Sequence, residues 1–165
     1  MLLQLKSLFL GETECLPIDC ALDLSGTEWN GMYPFRDVTV KGQIKLSADV
    51  VTLKATIEYR YVGTCDRCMC DIDRVQQLQI EHILVVSLNH EDNDSFVLIE
   101  NYQLPLDALV EEDLILDQPS KVLCSEECLG LCPQCGKDLN VGLCDCRRET
   151  VDPRLAALQQ LLDYF

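Results

Sequence analysis

The residues in this sequence with the clearest chemical potential are its 11 cysteines. The strongest pattern is a Cys-x-x-Cys pair, Cys132 and Cys135, followed by a Cys-x-Cys pair, Cys144 and Cys146. A structural zinc ion takes four ligands in a tetrahedron, and two closely spaced pairs across a short turn supply them. Gly136 allows the positive φ that a Cys-x-x-Cys turn needs, and cysteines at i and i+2 of an extended segment share a face. The spacing therefore predicts a zinc site at these four cysteines.

A second set of four cysteines is spread more widely along the chain. Cys65 and Cys68 form one pair, and Cys124 and Cys128 form another. Neither pair can complete a structural zinc site alone, but together they supply four thiolates. We predict a second zinc site from these residues. Three alternatives remain open: Cys70 replaces one ligand, the eight cysteines pair differently, or Cys65 and Cys68 bind no metal.

Two rival chemistries use the same residue type. A Cys-Pro-x-Cys sequence is also typical of thioredoxin-like redox pairs, but that chemistry expects a preceding strand and a helix that begins at the motif. Here the pattern indicates a loop beside another cysteine pair, which favours metal binding. Four cysteines also suit an iron–sulfur cluster by ligand type alone. The remaining cysteines, Cys15, Cys20 and Cys70, are interpreted as small, partly buried residues.

Residues for acid–base or hydrolytic catalysis are scarce. The sequence has 2 histidines: His82 lies in a strand pattern, and His90 lies in an acidic stretch typical of a solvated turn. It contains no glycine-rich phosphate loop, no nucleophile elbow and no His-Glu metal motif. We therefore expect a protein that is not an enzyme.

Acidic residues dominate the charge of the chain. The 28 Asp and Glu against 13 Lys and Arg give a formal net charge of −15. A field of this sign repels phosphate and favours basic partners, although it also serves solubility. The apolar N-terminal stretch carries Lys6 and lacks a cleavage site, and no run approaches the roughly 18 apolar residues of a membrane span. We expect a cytoplasmic protein whose thiols stay reduced, with no membrane segment.

Alternating polarity predicts that the first two thirds of the chain are mainly β structure. Runs from Val38 to Val50 and from Val51 to Tyr61 alternate with opposite parity, which predicts an antiparallel hairpin with one buried face. Runs from about Ile72 to Leu88 and from Phe96 to Ile99 predict further strands, and the N-terminal segment is a candidate edge strand. A helical spacing of apolar residues then precedes Pro119. These residues are Leu106, Leu109, Val110 and Leu114.

These elements predict an α+β fold: a mainly antiparallel β body, a cysteine-rich zinc-binding loop module and a C-terminal helix. The predicted boundaries are 1–119 for the body, which ends in a short helix, 120–148 for the module and 149–165 for an amphipathic helix. Asp152 suits the N-cap of that last helix and Pro153 its first turn. The helix docks on the body or binds a partner through an apolar stripe. The stripe consists of Leu155, Leu158, Leu161, Leu162 and Phe165.

Several of these motifs together resemble a known family. The features are Cys65-x-x-Cys68 after an alternating strand, the acidic helix that runs into Pro119, the stretch from Cys124 to Cys146, and Asp152-Pro-Arg-Leu-Ala-Ala-Leu158. In this order they resemble the YceD-like family, the large ribosomal RNA subunit accumulation proteins. The resemblance covers most of the chain and is most specific from about Leu104 onward.

The resemblance implies a non-enzymatic factor in ribosome biogenesis that supports accumulation of large-subunit ribosomal RNA. The implied partner is a ribosomal protein or a pre-ribosomal particle of the large subunit. The acidic surface favours a basic protein as the contact, but Lys137, Arg147 and Arg148 place positive charge beside the metal and can touch RNA phosphate.

Two other classes of function stay open at this point. One is a zinc-carrying adaptor in transcription or metal handling, whose metal would exchange readily. The other is a thiol oxidoreductase, which would show a depressed thiol pKa and turnover with a dithiol substrate.

Overall fold

The alternating segments form the strands of a five-stranded sheet in the computed structural model, which describes residues 1–87 and 96–146. The strand order is β2-β3-β4-β5-β6, and a separate two-stranded sheet pairs β1 with β7. The elements in chain order are β1 Leu2–Gln4, α1 Lys6–Phe9, β2 Cys15–Leu22, β3 Phe35–Ser47, β4 Val50–Thr64, β5 Asp71–Val85, β6 Phe96–Leu98, β7 Gln103–Pro105 and α2 Leu106–Asp117.

The predicted hairpin is confirmed as the antiparallel pair β3 and β4. Along β4, Leu53 and Ile57 are buried while Lys54 and Glu58, which directly follow them, are exposed, as alternation about a pleated strand requires. Ala48 and Asp49 form the two-residue loop with φ of 49° and 63°. Positive φ at both loop residues gives the turn a twist that matches the two strands. This hairpin supplies the centre of the sheet.

The strand predicted from Ile72 is confirmed as β5, which runs antiparallel to β4 from Asp71 to Leu84. The strand predicted from Phe96 is confirmed as β6, but it pairs with β5 in parallel. The N-terminal edge strand is also confirmed, because β2 pairs only with β3 in this sheet. The fold is therefore mainly antiparallel β with one parallel pairing.

The predicted helix is confirmed as α2, which buries the four apolar residues at helical spacing. On the sheet, His82 in β5 lies with its Nε2 2.9 Å from Oδ2 of Asp113 in α2. Gln118 follows the helix and donates a hydrogen bond from its Nε2 to the Leu114 carbonyl at 3.1 Å. His82 is thus a paired sheet residue, as its strand pattern indicated.

The described chain forms two compact units. The first contains Met1–Asp66 and Cys70–Cys124, with both sheets and both helices. The second contains Arg67–Met69 and the residues from Ser125 onward, and its described part consists of turns and short bridges. The predicted three-part division stays a prediction. The amphipathic helix predicted for 149–165 lies outside the described residues, as does His90.

Within residues 1–87 and 96–146, no helix is long and apolar enough to span a membrane.

Two buried tyrosines in β4 differ in their hydrogen bonds. The Tyr59 hydroxyl lies 2.8 Å from the Gln76 side-chain amide and accepts a hydrogen bond from Gln118 Nε2 at 2.9 Å. The Tyr61 hydroxyl is buried and has no hydrogen-bond partner among the residues that the structure describes. Burial raises the pKa of both hydroxyls. The first hydroxyl connects the sheet to the end of α2, whereas the second has no such role.

We predict that Tyr59→Phe and Tyr61→Phe have different effects on stability. Tyr59→Phe removes the hydrogen bonds of the hydroxyl and deprives the side-chain amides of Gln76 and Gln118 of this partner. We therefore expect the free energy of unfolding to fall by about 1 kcal/mol. Tyr61→Phe removes an unpaired buried hydroxyl, so we expect no loss or a small gain. Urea unfolding followed by circular dichroism measures both. An equal loss in both variants would contradict the assignment of the hydrogen bonds.

Candidate metal centres

Four cysteine sulfurs of the second unit converge at one place. The Sγ atoms of Cys132, Cys135, Cys144 and Cys146 all lie within 4.8 Å of one another. Cys132 is buried, Cys135 is exposed and the other two are half-buried. Around a tetrahedral zinc with Zn–S bonds of about 2.3 Å, sulfurs stand roughly 3.8 Å apart. The observed separation is therefore suited to a metal with four thiolate ligands.

A tight turn brings the first pair of these sulfurs together. The Gly136 N–H donates to the Cys132 carbonyl at 2.8 Å, and the Cys132 N–H donates to the Lys137 carbonyl at 2.9 Å. Gly136 has φ of +70°, in the region that glycine enters without strain. The positive φ predicted after the Cys-x-x-Cys pair is confirmed, and it lets the chain fold back beneath the sulfurs.

The thiols of this group influence one another's ionisation. Backbone N–H groups of Cys135 and Gln134, with a further hydrogen bond from Cys144, lower the pKa of Cys132 to about 6. At the other extreme, a hydrogen bond with Cys135, together with burial and the neighbouring Cys144, raises the pKa of Cys146 to about 12. The turn thus stabilises the thiolate form of Cys132, whereas the neighbouring cysteines destabilise the thiolate form of Cys146. A divalent cation among the sulfurs would allow all four to ionise.

A second group consists of Cys65, Cys68, Cys124 and Cys128. Their Sγ atoms also lie within 4.8 Å of one another, and all but Cys124 are buried. The exposed Cys70 belongs to neither group; its carbonyl accepts the Cys65 N–H at 2.8 Å. The structure thus brings together both predicted sets of sulfurs, while their role as metal ligands stays a prediction.

The two residues inside the Cys65-x-x-Cys68 pair have roles that the sequence analysis missed. Asp66 accepts the Val122 N–H on its Oδ2 at 2.6 Å and donates its own N–H to the Val122 carbonyl at 2.9 Å. Arg67 donates from Nη1 to the Cys128 carbonyl at 2.9 Å. The sequence hinted at these roles only by placing two charged residues between cysteines that are spaced as metal ligands. Their distant partners have no periodic pattern and could not be read from the sequence.

Asn140 organises the second unit around Cys128. Its Oδ1 accepts the Leu129 N–H at 2.8 Å, and its Nδ2 donates to the Cys128 Sγ at 3.5 Å. A hydrogen bond of this kind holds a cysteine sulfur in a fixed orientation, as partners of metal ligands do. The position of Asn140 between the two cysteine pairs indicated a turn, but its hydrogen bonds were not predictable from the sequence.

Other residues named from the sequence lie away from the sulfur groups or outside the description. Lys137 donates from Nζ to the Leu143 carbonyl at 2.8 Å. Arg147 and Arg148 lie outside the described residues. Cys15 and Cys20 lie on β2, where the Cys15 thiol contacts Gln43 Oε1 at 3.3 Å and burial raises the pKa of Cys20. Cys20 is half-buried, as interpreted from the sequence, whereas Cys15 and Cys70 are exposed, so the interpretation as partly buried residues is wrong for these two.

Fold and site together define a class: a mainly β protein with two groups of four clustered cysteines. The comparison with known families gives this class an identity. Residues 53–162 match the family described as large ribosomal RNA subunit accumulation protein YceD. The chain belongs to the YceD family, as the resemblance predicted.

Bacterial relatives match over a similar part of the chain. The Bacillus subtilis protein YlbN is 30% identical over 129 residues, which cover 76% of this chain and 74% of that protein. The Mycobacterium tuberculosis protein Rv2926c is 25% identical over 124 residues, which cover 73% of this chain and 59% of that protein. Both carry names that state no function. No solved structure matches the chain.

We predict that Gly130→Ala loosens the second unit. Gly130 has φ of +75°, and an added Cβ would lie 3.0 Å from the Arg67 carbonyl oxygen. A non-glycine residue in this conformation costs about 1–3 kcal/mol. Limited proteolysis should therefore cut residues 125–146 faster than in the wild type. Gly142→Ala is the matched control, because nothing lies within 4 Å of its added methyl. Equal digestion of both variants would contradict this role of Gly130.

Proposed function

We propose that this chain is a non-enzymatic, cytoplasmic factor that supports accumulation of large-subunit ribosomal RNA and holds two structural zinc ions. The proposal rests on family membership for the process. For the zinc it rests on one observation, the convergence of two sets of four thiol sulfurs within 4.8 Å. The proposed ligands are Cys132, Cys135, Cys144 and Cys146 at one site and Cys65, Cys68, Cys124 and Cys128 at the other.

The local structure around the second-unit sulfurs supports a structural role for the metal. Residues 125–146 form turns and bridges and contain no helix or strand of their own. The large aliphatic side chains Leu129, Val141 and Leu143 are exposed there, so they supply no core. A segment without a core needs another source of folding free energy, and thiolate–zinc bonds supply it in small domains.

A thiol oxidoreductase is the rival that one observation favours. Cys132 has its pKa lowered to about 6, as attacking cysteines of redox pairs do. Two further thiols lie within 4.8 Å of this pair, however, and no helix begins at the motif within the described residues. A redox pair needs only two sulfurs, one that attacks and one that leaves. Four converging sulfurs instead match the number of ligands at a structural zinc site. The rival predicts turnover with a dithiol substrate and the metal proposal does not.

Charge supports a basic protein as the contact of this chain in the large-subunit particle. The net charge of −15 attracts lysine-rich ribosomal proteins and repels exposed phosphate. Lys137, the described member of the cationic cluster beside the cysteines, already donates to the Leu143 carbonyl. Phosphate contact through this lysine would require that hydrogen bond to be given up.

We predict that protein purified without chelator carries two zinc ions per chain. Cys135→Ser removes one proposed ligand of the group that also contains Cys132, Cys144 and Cys146. We therefore expect about one zinc to be lost while the circular dichroism of the sheet persists. Cys15→Ser is the matched control and should retain both ions, since Cys15 belongs to neither group. Elemental analysis by mass spectrometry measures the ratio. A brown protein that contains iron would contradict the zinc assignment and indicate an iron–sulfur cluster instead.

We predict that tagged protein in cell extracts sediments with precursors of the large ribosomal subunit. Association should weaken as salt rises, because the Debye length shortens from about 10 Å at 0.1 M to about 3 Å at 1 M. Reversing Lys137, Arg147 and Arg148 to Glu should leave association nearly unchanged if a basic protein is the contact. If RNA is the contact, the slope of log affinity against log salt should fall by about one for each lost phosphate contact.

Two results of the sedimentation experiment would count against the proposal. Absence of the wild-type protein from large-subunit fractions at every salt concentration would leave the assembly role unsupported. Depletion of the chain with no fall in the ratio of large-subunit to small-subunit ribosomal RNA would do the same. Either result would favour a zinc-carrying adaptor, whose metal should transfer to a chelator within minutes.

A further inference from the structure

In the described part of the second unit, most of the large aliphatic side chains are exposed. Val141 is 85% exposed, Leu143 is 74% exposed and Leu129 is 62% exposed. Leu131 is exposed as well. We call these four residues the apolar rim. Scattered exposed leucines are ordinary, but several in one short module beside a candidate metal centre indicate an interaction surface.

Hydrogen bonds from backbone and side-chain groups hold the segments of the apolar rim close together. The Leu129 N–H donates to Asn140 Oδ1 at 2.8 Å, which places Leu129 beside the residue that precedes Val141. Leu131 forms an antiparallel bridge with Asp138. Lys137 Nζ donates to the Leu143 carbonyl at 2.8 Å. The segments 129–131 and 137–143 thus lie against each other.

The charges around the apolar rim select the kind of partner. Glu126, Glu127 and Asp145 are exposed carboxylates in the same unit. Of its described cations, Arg67 donates to the Cys128 carbonyl and Lys137 to the Leu143 carbonyl. The described surface therefore offers aliphatic groups and negative charge, while its two described cations are engaged internally. This combination complements a polypeptide that carries both apolar and basic side chains.

We propose that the apolar rim binds a basic, amphipathic polypeptide segment, by burying its apolar side chains against Val141, Leu143 and Leu129. This inference rests on the proposed function and names the surface and partner chemistry through which that function would act. The carboxylates nearby attract the lysines and arginines of such a segment. They repel RNA phosphate, and aliphatic side chains do not provide the aromatic faces on which single-stranded bases stack.

The test uses the full-length, zinc-loaded chain and a pair of matched double variants. Val141→Ser with Leu143→Ser removes one valine and one leucine from the apolar rim. Val75→Ser with Leu116→Ser removes one valine and one leucine from the first unit, where they are 66% and 75% exposed. The two variants lose the same side chains at similar exposure. They differ only in the surface that they change.

The probe is a fluorescein-labelled helical peptide of leucine and lysine, and its affinity is measured by fluorescence anisotropy at physiological salt. The control peptide has the same charge with serine at every leucine. We expect the rim variant to bind the leucine peptide about tenfold more weakly than wild type, because apolar anchors at the centre of a contact dominate affinity. The first-unit variant should bind within about twofold of wild type. The serine peptide should bind all three proteins weakly.

Unchanged affinity of the rim variant would overturn the proposal, as would equal affinity of wild type for the two peptides. Zinc content equal to that of the wild type shows that the rim variant is folded. A second measurement avoids the variants altogether: in methyl-labelled wild type, the peptide should shift the NMR signals of Leu129, Val141 and Leu143. Shifts confined to the methyl groups of the first unit would also overturn the proposal.

Other occupants of the apolar rim give distinct results, each of which would replace the proposed partner. A dimer that the rim substitutions dissociate would assign the surface to a second copy of the chain. Tighter peptide binding after Leu158→Ser with Leu162→Ser would assign it to the chain's own C-terminal stretch. Loss of ribosomal RNA binding in the rim variant with peptide binding intact would assign it to RNA. Failure of peptide binding while the protein still sediments with large-subunit precursors would reject this inference and leave the proposed function standing.

Discussion

Four cysteine sulfurs of the second unit lie within 4.8 Å of one another, so that ionisation of one thiol opposes ionisation of the next. The turn at Cys132 lowers the pKa of that thiol to about 6, while neighbouring sulfurs raise the pKa of Cys146 to about 12. The same arrangement thus stabilises the thiolate form of Cys132 and destabilises that of Cys146. In the proposed function, thiolate–metal bonding would resolve the conflict, because a divalent cation attracts all four sulfurs and displaces their protons. This bonding would also stand in for a hydrophobic core, which the described residues 125–146 do not form.

The strands and the main helix were predictable because their signals are local and repeated. Burial alternates along β4 residue by residue, and four apolar positions at helical spacing determine the buried face of α2. The parallel pairing of β6 with β5 was not predictable, since a strand of three residues carries no information about its neighbour or direction. The small sheet of β1 and β7 is similar, because it pairs residues about one hundred positions apart. Pairing across such separations leaves no periodic trace in the sequence.

The two candidate metal centres could be predicted from the sequence to different extents. Cys132 and Cys135 form a local turn, so their convergence follows from spacing and from Gly136 alone. The grouping of Cys65 and Cys68 with Cys124 and Cys128 rested on counting ligands, which states that a partner pair must exist but not where it lies. The hydrogen bonds of Asp66, Arg67 and Asn140 escaped prediction altogether. Each depends on a backbone atom or sulfur that only the tertiary structure places.

In the proposed function, an acidic chain has to obtain specificity within an RNA particle without a general attraction to phosphate. Its net charge sets which molecules approach, since long-range fields act mainly on association rates and on the exclusion of wrong partners. Short-range contacts would then determine which of the many basic ribosomal proteins is retained under this proposal, because apolar burial depends on shape and not on charge alone. In the second unit, exposed Val141 and Leu143 lie beside thiols whose convergence defines the loop that carries them. On the proposed function, metal binding and partner selection are therefore coupled: a chain without its metal would keep the attractive field and lose the surface that discriminates.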